Sequence, residues 1–178
     1  VDLSRYVACG PRDFGNRVHR LAQQRDGWLL PLQVHGYAWR CFPCWDEPAR
    51  KAVFALTLVI DPALVGFSNM PEKSSQLVKV GSKVLKEITF MESPKMSTYL
   101  AAVVVGEFDF IQTVSDHGVM IRIYAPPGRA EDGRFALDVT KRCLDLFDDF
   151  FGLPYPLPKM DLVALPEFAA GAMENWGL

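Results

Sequence analysis

Near the end of the 178-residue sequence, Gly171-Ala172-Met173-Glu174-Asn175 sets two small residues ahead of a single carboxylate. Gly171 and Ala172 carry little side chain, so another backbone can approach theirs closely. Their N–H and C=O groups can then pair with an extended peptide, as an open sheet edge does in strand addition. A carboxylate fixed beside such an edge takes an ammonium by charge-assisted hydrogen bonds, and the free α-amine of a peptide is an ammonium. The segment therefore has the parts needed to hold a peptide by its N-terminus. Residue chemistry alone leaves a second reading open, in which Glu174 is a solvated or capping acid in a loop of small residues. Met173 likewise reads either as a wall beside a bound peptide or as packing.

Other chemistry-bearing residues are sparse. Cys41-Phe42-Pro43-Cys44 has the spacing of a redox pair or of half a zinc site. A zinc site needs two further ligands, and no second CxxC and no HxxxH follows. The alternative is that Cys41 and Cys44, like Cys9 and Cys143, are structural thiols; reduced thiols suit a cytoplasmic location. The acids of Trp45-Asp46-Glu47-Pro48 read as fixing a turn ahead of a strand that begins near Ala52. Met160 reads as wall or core. The only histidines are His19, His35 and His117.

The elements that must position these residues change character along the chain. Leu58 and Ile60, with Phe54 and Leu56, share one face at period two, and Asp61-Pro62 ends that run. Ile88 and Phe90 alternate with Glu87 and Thr89 as in a half-buried strand. Tyr99–Val105 is continuously apolar and reads as a central strand. Residues 107–113 and 119–124 flank the turn signal Asp116-His117-Gly118. The spacing of these strands predicts an antiparallel sandwich. From Ala130 to Phe151 the period becomes helical. Phe135, Val139, Cys143, Phe147 and Phe151 recur four apart, with Leu146 and Phe150 widening the stripe, which predicts a buried face. Gly152 and Pro154 supply the stop. A proline-rich connector, Tyr155–Lys159, leads into a short strand at Asp161–Leu165. The change of texture places a domain boundary at residues 112/113.

Composition narrows the function classes. Nineteen Lys and Arg against twenty-one Asp and Glu give a net charge of −2, which offers no general attraction to nucleic acid. The longest stretch without a charged residue, Gly27–Trp39, is thirteen residues, short of the ~20 a membrane helix needs. The first residue is Val1, and no basic stretch leads into an apolar run there. The reading is of a fragment of a longer protein.

Phe168–Leu178 resembles the GAMEN exopeptidase motif of the M1 (gluzincin) zinc aminopeptidases. Upstream, Phe42-Pro43-Cys44-Trp45-Asp46-Glu47-Pro48, Ser68-Asn69-Met70, Met96-Ser97-Thr98-Tyr99-Leu100, Val105-Gly106-Glu107-Phe108-Asp109 and Pro154-Tyr155-Pro156-Leu157-Pro158-Lys159 resemble that family in order. The wording is most similar to its cytosolic puromycin-sensitive branch. The resemblance covers residues 38–178. It implies a mainly β chain with an α/β C-terminal part. Residues 1–112 would be an antiparallel β-sandwich (saddle) domain, with 1–32 atypical. Residues 113–178 would begin a thermolysin-like catalytic domain, truncated before its zinc motif.

The resemblance also implies roles. Glu174 matches the acid that holds the substrate's free amine. Gly171, Ala172 and Met173 match the backbone edge and pocket wall beside the substrate, and Asn175 the residue that positions Glu174. The implied partners are peptides with a free N-terminus and the remaining domains of the parent protein. The implied cofactor is zinc, bound by an HExxH motif and a distant Glu that lie downstream of GAMEN in the family. This chain has no HExxH and is expected to hydrolyse nothing on its own. It also departs from the family at Gln33-Val34-His35, where a Gln-x-Glu is expected. Gln33 fills the Gln position, but His35 replaces an acid, and a charged imidazole would repel an ammonium. Two non-enzymatic alternatives follow: a module that binds peptide N-termini without cleaving them, and an incomplete, inactive fragment.

Overall fold

The computed structural model describes residues 42, 44, 45, 47–165 and 172–178. Gln33, His35, Cys41 and Gly171 lie outside the described residues. The chain forms two compact units, Val1–Glu107 and Phe108–Leu178.

In the first unit, β1 (Thr57–Ile60), β4 (Lys83–Phe90) and β3 (Glu72–Val80) form one antiparallel sheet in that order. The strands β2 (Val65–Ser68) and β5 (Val103–Gly106) pair antiparallel in a second sheet. Leu58, Ile60, Ile88 and Phe90 are buried, the face expected from their alternation. Gly66 shows how closely the two sheets stack. A Cβ built there would stand 2.9 Å from Ile60 Cδ1, 3.2 Å from Leu58 Cδ1 and 3.3 Å from Ile88 Cδ1. Only a residue without a side chain lets the second sheet settle on these three.

Several quoted segments have structural work in this unit. Asn69 Nδ2 donates to the Leu100 carbonyl at 2.8 Å, and Asn69 Oδ1 accepts from Ala102 N–H at 2.8 Å. Ser97 Oγ donates to the Pro48 carbonyl at 2.7 Å, and Arg50 N–H to the Glu47 carbonyl at 2.9 Å. Residues 47–50 are thus a turn, tied back to the loop before β5. The stretch Tyr99–Val105 is less regular than its apolarity predicts. Thr98–Leu100 is a turn of 3-10 helix, and only Val103–Gly106 is strand.

In the second unit, β6 (Asp109–Val114) pairs antiparallel with β7 (Met120–Ala125). The helix α1 (Arg134–Phe151) then crosses over, and β8 (Lys159–Val163) pairs parallel with β7. The pairing of β6 with β7 is why the unit begins at Phe108. Gly152, at φ 63°, ends α1 in the left-handed conformation that glycine takes without strain. The core is Val119, Ile121 and Ile123 of the hairpin against Leu137 and Leu144 of α1.

The face of α1 that turns inward is not the expected one. Phe135 is 80% exposed and Phe150 74%, and Val139, Cys143, Leu146, Phe147 and Phe151 are exposed as well. Leu137, Leu144 and Asp148 are buried instead. The roll of the helix is set at both ends. Gly133 lies against Ile123 at the start. Near the other end, Asp148 Oδ1 accepts a hydrogen bond from Tyr155 N–H at 2.8 Å. Between them, Lys141 bridges Asp145 at 2.8 Å and Asp116 of the hairpin turn. These ties select the narrower Leu137–Leu144 stripe for the three-stranded sheet and leave the longer stripe outward.

Candidate functional site

The segment carrying the expected site runs Ala172–Leu178 and belongs to no helix or strand. Glu174 and Ala172 are exposed, while Met173 and Asn175 are half-buried. Among the described residues, the Glu174 carboxylate meets no ion pair, and no hydrogen bond engages the backbones of Ala172 and Met173. An exposed acid beside unengaged backbone groups can take an ammonium and an extended chain together. Asn175 acts locally through its backbone, whose carbonyl accepts from Leu178 N–H at 3.3 Å. Residues 175–178 thereby close as a turn.

That turn is held by the face of the sheet opposite α1. Alternation puts Met160 and Leu162 of β8 against the core, so Lys159 and Asp161 project from the other face. Each is 2% exposed. The Lys159 ammonium donates to the Gly177 carbonyl at 2.7 Å, and the Asp161 backbone N–H donates to the same carbonyl at 3.1 Å. Among the described residues β8 is an outer strand of its sheet, and Gly177 sits against its edge.

Lys159 Nζ also lies 2.6 Å from Asp161 Oδ2. This contact is an ion pair without hydrogen-bond alignment, and neither Asp161 oxygen has an aligned donor among the described residues. Burial pushes the Lys159 ammonium below its ordinary range and the Asp161 carboxyl above its own, and the attraction between them opposes both shifts. Tyr155 completes the surround. Burial raises its hydroxyl to about 12, and the neighbouring Gly177 backbone opposes that shift.

Sequence reasoning missed Lys159, Asp161 and Tyr155 as supports of this segment. The signal was present as a Lys-x-Asp alternation entering a strand. It is obscured because the proline-rich connector runs up to Lys159 and the apolar strand signal begins only at Asp161.

No three His, Cys, Asp or Glu side chains gather as a metal site among the described residues. The side chains of the described residues do not fit a catalytic zinc. Among the described residues, no helix is long and apolar enough to cross a membrane.

Comparison with known proteins supplies the context for this arrangement. Residues 33–100 match the peptidase M1 N-terminal domain, and residues 135–178 match the peptidase family M1 domain. The chain belongs to peptidase family M1. It is 53% identical over 139 residues to Aminopeptidase M1 of Arabidopsis thaliana, a match covering 78% of this chain and 15% of that protein. Over 142 residues it is 46% identical to the puromycin-sensitive aminopeptidase of Caenorhabditis elegans, covering 80% and 15%. A match to Aminopeptidase M1-A of Oryza sativa, 48% identical, extends over 165 residues, or 93% of this chain and 18% of that one. That match takes in part of residues 1–32. The chain spans 15–18% of the length of these relatives.

Proposed function

We propose that this M1 chain supplies the part of a zinc aminopeptidase that recognises the free α-amine of a peptide. In this reading Glu174 binds the amine, Gly171, Ala172 and Met173 run beside the first residues of the peptide, and Asn175 positions Glu174. Gln33 is a further contact to the amine. The unit that ends at Glu107 belongs to the saddle domain, and the unit that begins at Phe108 opens a thermolysin-like catalytic domain. The zinc and its HExxH ligands belong to sequence outside this chain, which by itself cleaves nothing. An anchored amine stands a fixed distance from the first peptide bond, so the whole enzyme removes residues singly from the N-terminus.

The observation that supports this most is the state of Glu174: exposed, and engaged by no cation among the described residues. An acid used only as a cap or a tether would be spent on a partner within the protein. The chain should bind Leu-Ala-Ala in preference to its N-acetylated form, and Glu174→Gln should remove the preference. Equal binding of the two peptides by the unaltered chain refutes the assignment. Cys143 is an exposed thiol, which suits a reducing compartment, and on that ground we place the protein in the cytoplasm.

The exposed stripe of α1 favours a second reading, of a chain structurally incomplete without the other domains of its parent. Phe135, Phe150 and Phe151 in water promote self-association. A monodisperse monomer at high concentration would count against that reading.

A further inference from the structure

We propose that Lys159 is a positioning residue for the amine-binding segment: its buried ammonium, held by Asp161, fixes the Gly177 carbonyl and so sets where Glu174 stands. The inference rests on the reading of Glu174 given above. Lysine and aspartate are almost never fully buried unless paired. Here both are, on the sheet face away from the hydrophobic core. Stability alone does not call for such a pair, because well-packed apolar residues of similar volume serve as well or better. An apolar pair cannot donate a hydrogen bond. The Lys159 ammonium does, and it reaches a carbonyl eighteen residues on in the chain.

The target carbonyl is well chosen for this purpose. Gly177 O takes two donors, Lys159 Nζ and Asp161 N–H, while the Gly177 backbone faces the Tyr155 hydroxyl. The Gly177 carbonyl is thereby fixed by a side-chain donor and a backbone donor. The bond from Leu178 N–H to the Asn175 carbonyl passes that constraint back to the residue beside Glu174. A charge-assisted bond holds this position more firmly than the backbone bond alone. Asp161 makes the device possible by neutralising the ammonium at 2.6 Å, with no solvent to do so. Arg122, its register partner on β7, adds a second positive charge on the same face.

The test uses the full 178-residue chain and the double variant Lys159→Met/Asp161→Leu, which removes the donor without stranding a buried charge. Hydrogen exchange at Gly177 and Leu178 reports the hold on the turn. Amide shifts of Ala172 and Met173, titrated with Leu-Ala-Ala and its acetylated form, report amine preference. The proposal expects the variant to keep the β6–β8 amide pattern, to exchange about tenfold faster at both amides, and to lose amine preference by about tenfold. Asp161→Asn, which leaves the ammonium buried without its counter-charge, should weaken both as well. Should the apolar pair fail to fold, Lys159→Met/Asp161→Asn is read in its place against the same expectations. A folded variant with unchanged exchange overturns the proposal. So does one with faster exchange but intact preference, since the pair would then be structural only. Glu174→Gln separates the two levels. If it abolishes preference while the lysine variant does not, the positioning role alone fails. If preference survives Glu174→Gln, or the unaltered chain shows none, the amine reading fails and this proposal with it.

Discussion

Adding one methyl group at Gly133 tests how the second unit is locked. A Cβ built there lies 2.6 Å from Ile123 Cγ2 and 3.2 Å from Ile123 Cβ. Ordinary contact between carbons begins near 3.5 Å, so the neighbour must give by nearly an ångström. Ile123 cannot swing aside cheaply. It is β-branched and stiff at χ1, 4% exposed, and seated in the central strand of its sheet. Overpacking of this kind costs about 1–3 kcal/mol. The methyl group also restricts the unfolded chain, which returns about 0.5 kcal/mol because the backbone at φ −79° suits alanine. Gly133→Ala should therefore destabilise the second unit by about 2 kcal/mol, read by urea unfolding followed through the amide signals of β7. In an Ile123→Ala background the obstructing Cγ2 is gone and only the Cβ at 3.2 Å remains, so the same substitution should cost much less. A cost below about 0.5 kcal/mol in the native background, or an equal cost in both backgrounds, would refute the packing described for α1 on β7.

The inverted stripe of α1 gives a paired expectation. Phe135→Ser and Phe150→Ser should change stability by less than about 0.5 kcal/mol and reduce self-association, whereas Leu144→Ala should cost about 2–5 kcal/mol; sedimentation and urea unfolding check the two halves. Tyr155 gives a pH expectation. An unfolded tyrosine ionises near 10.0 and this one at about 12, so the stabilising contribution is complete below pH 10 and lost as pH rises to 12. Allowing for partial exposure, the loss is about 1–2 kcal/mol and should vanish in Tyr155→Phe, as seen in stability measured across that range.

Much of this architecture was legible from period alone. Leu58 with Ile60 and Ile88 with Phe90 turn inward as their alternation requires, and Asp116-His117-Gly118 joins two strands. Other elements gave no such signal. The strand β3, Glu72–Val80, is exposed along most of its length and polar at its start, so no buried face marks it; backbone pairing with β4 alone makes it a strand. On α1 the difficulty was the reverse, with two stripes competing. The stripe with more and larger residues is outward, because Gly133, Lys141 and Asp148 fix the roll. At the site, Glu174 and its neighbours were visible as small residues beside an acid. The buried Lys159–Asp161 pair was not, since a sequence does not show which strand residues face a returning segment.

The most direct test of the proposed amine anchor is steady-state kinetics of a full-length M1 aminopeptidase carrying this segment, with Glu174 intact or replaced by Gln. An anchor for the substrate amine loses a charged contact in that variant, and kcat/KM for Leu-Ala-Ala should fall by about 30-fold or more. Unchanged kcat/KM on that peptide would contradict the assignment of Glu174.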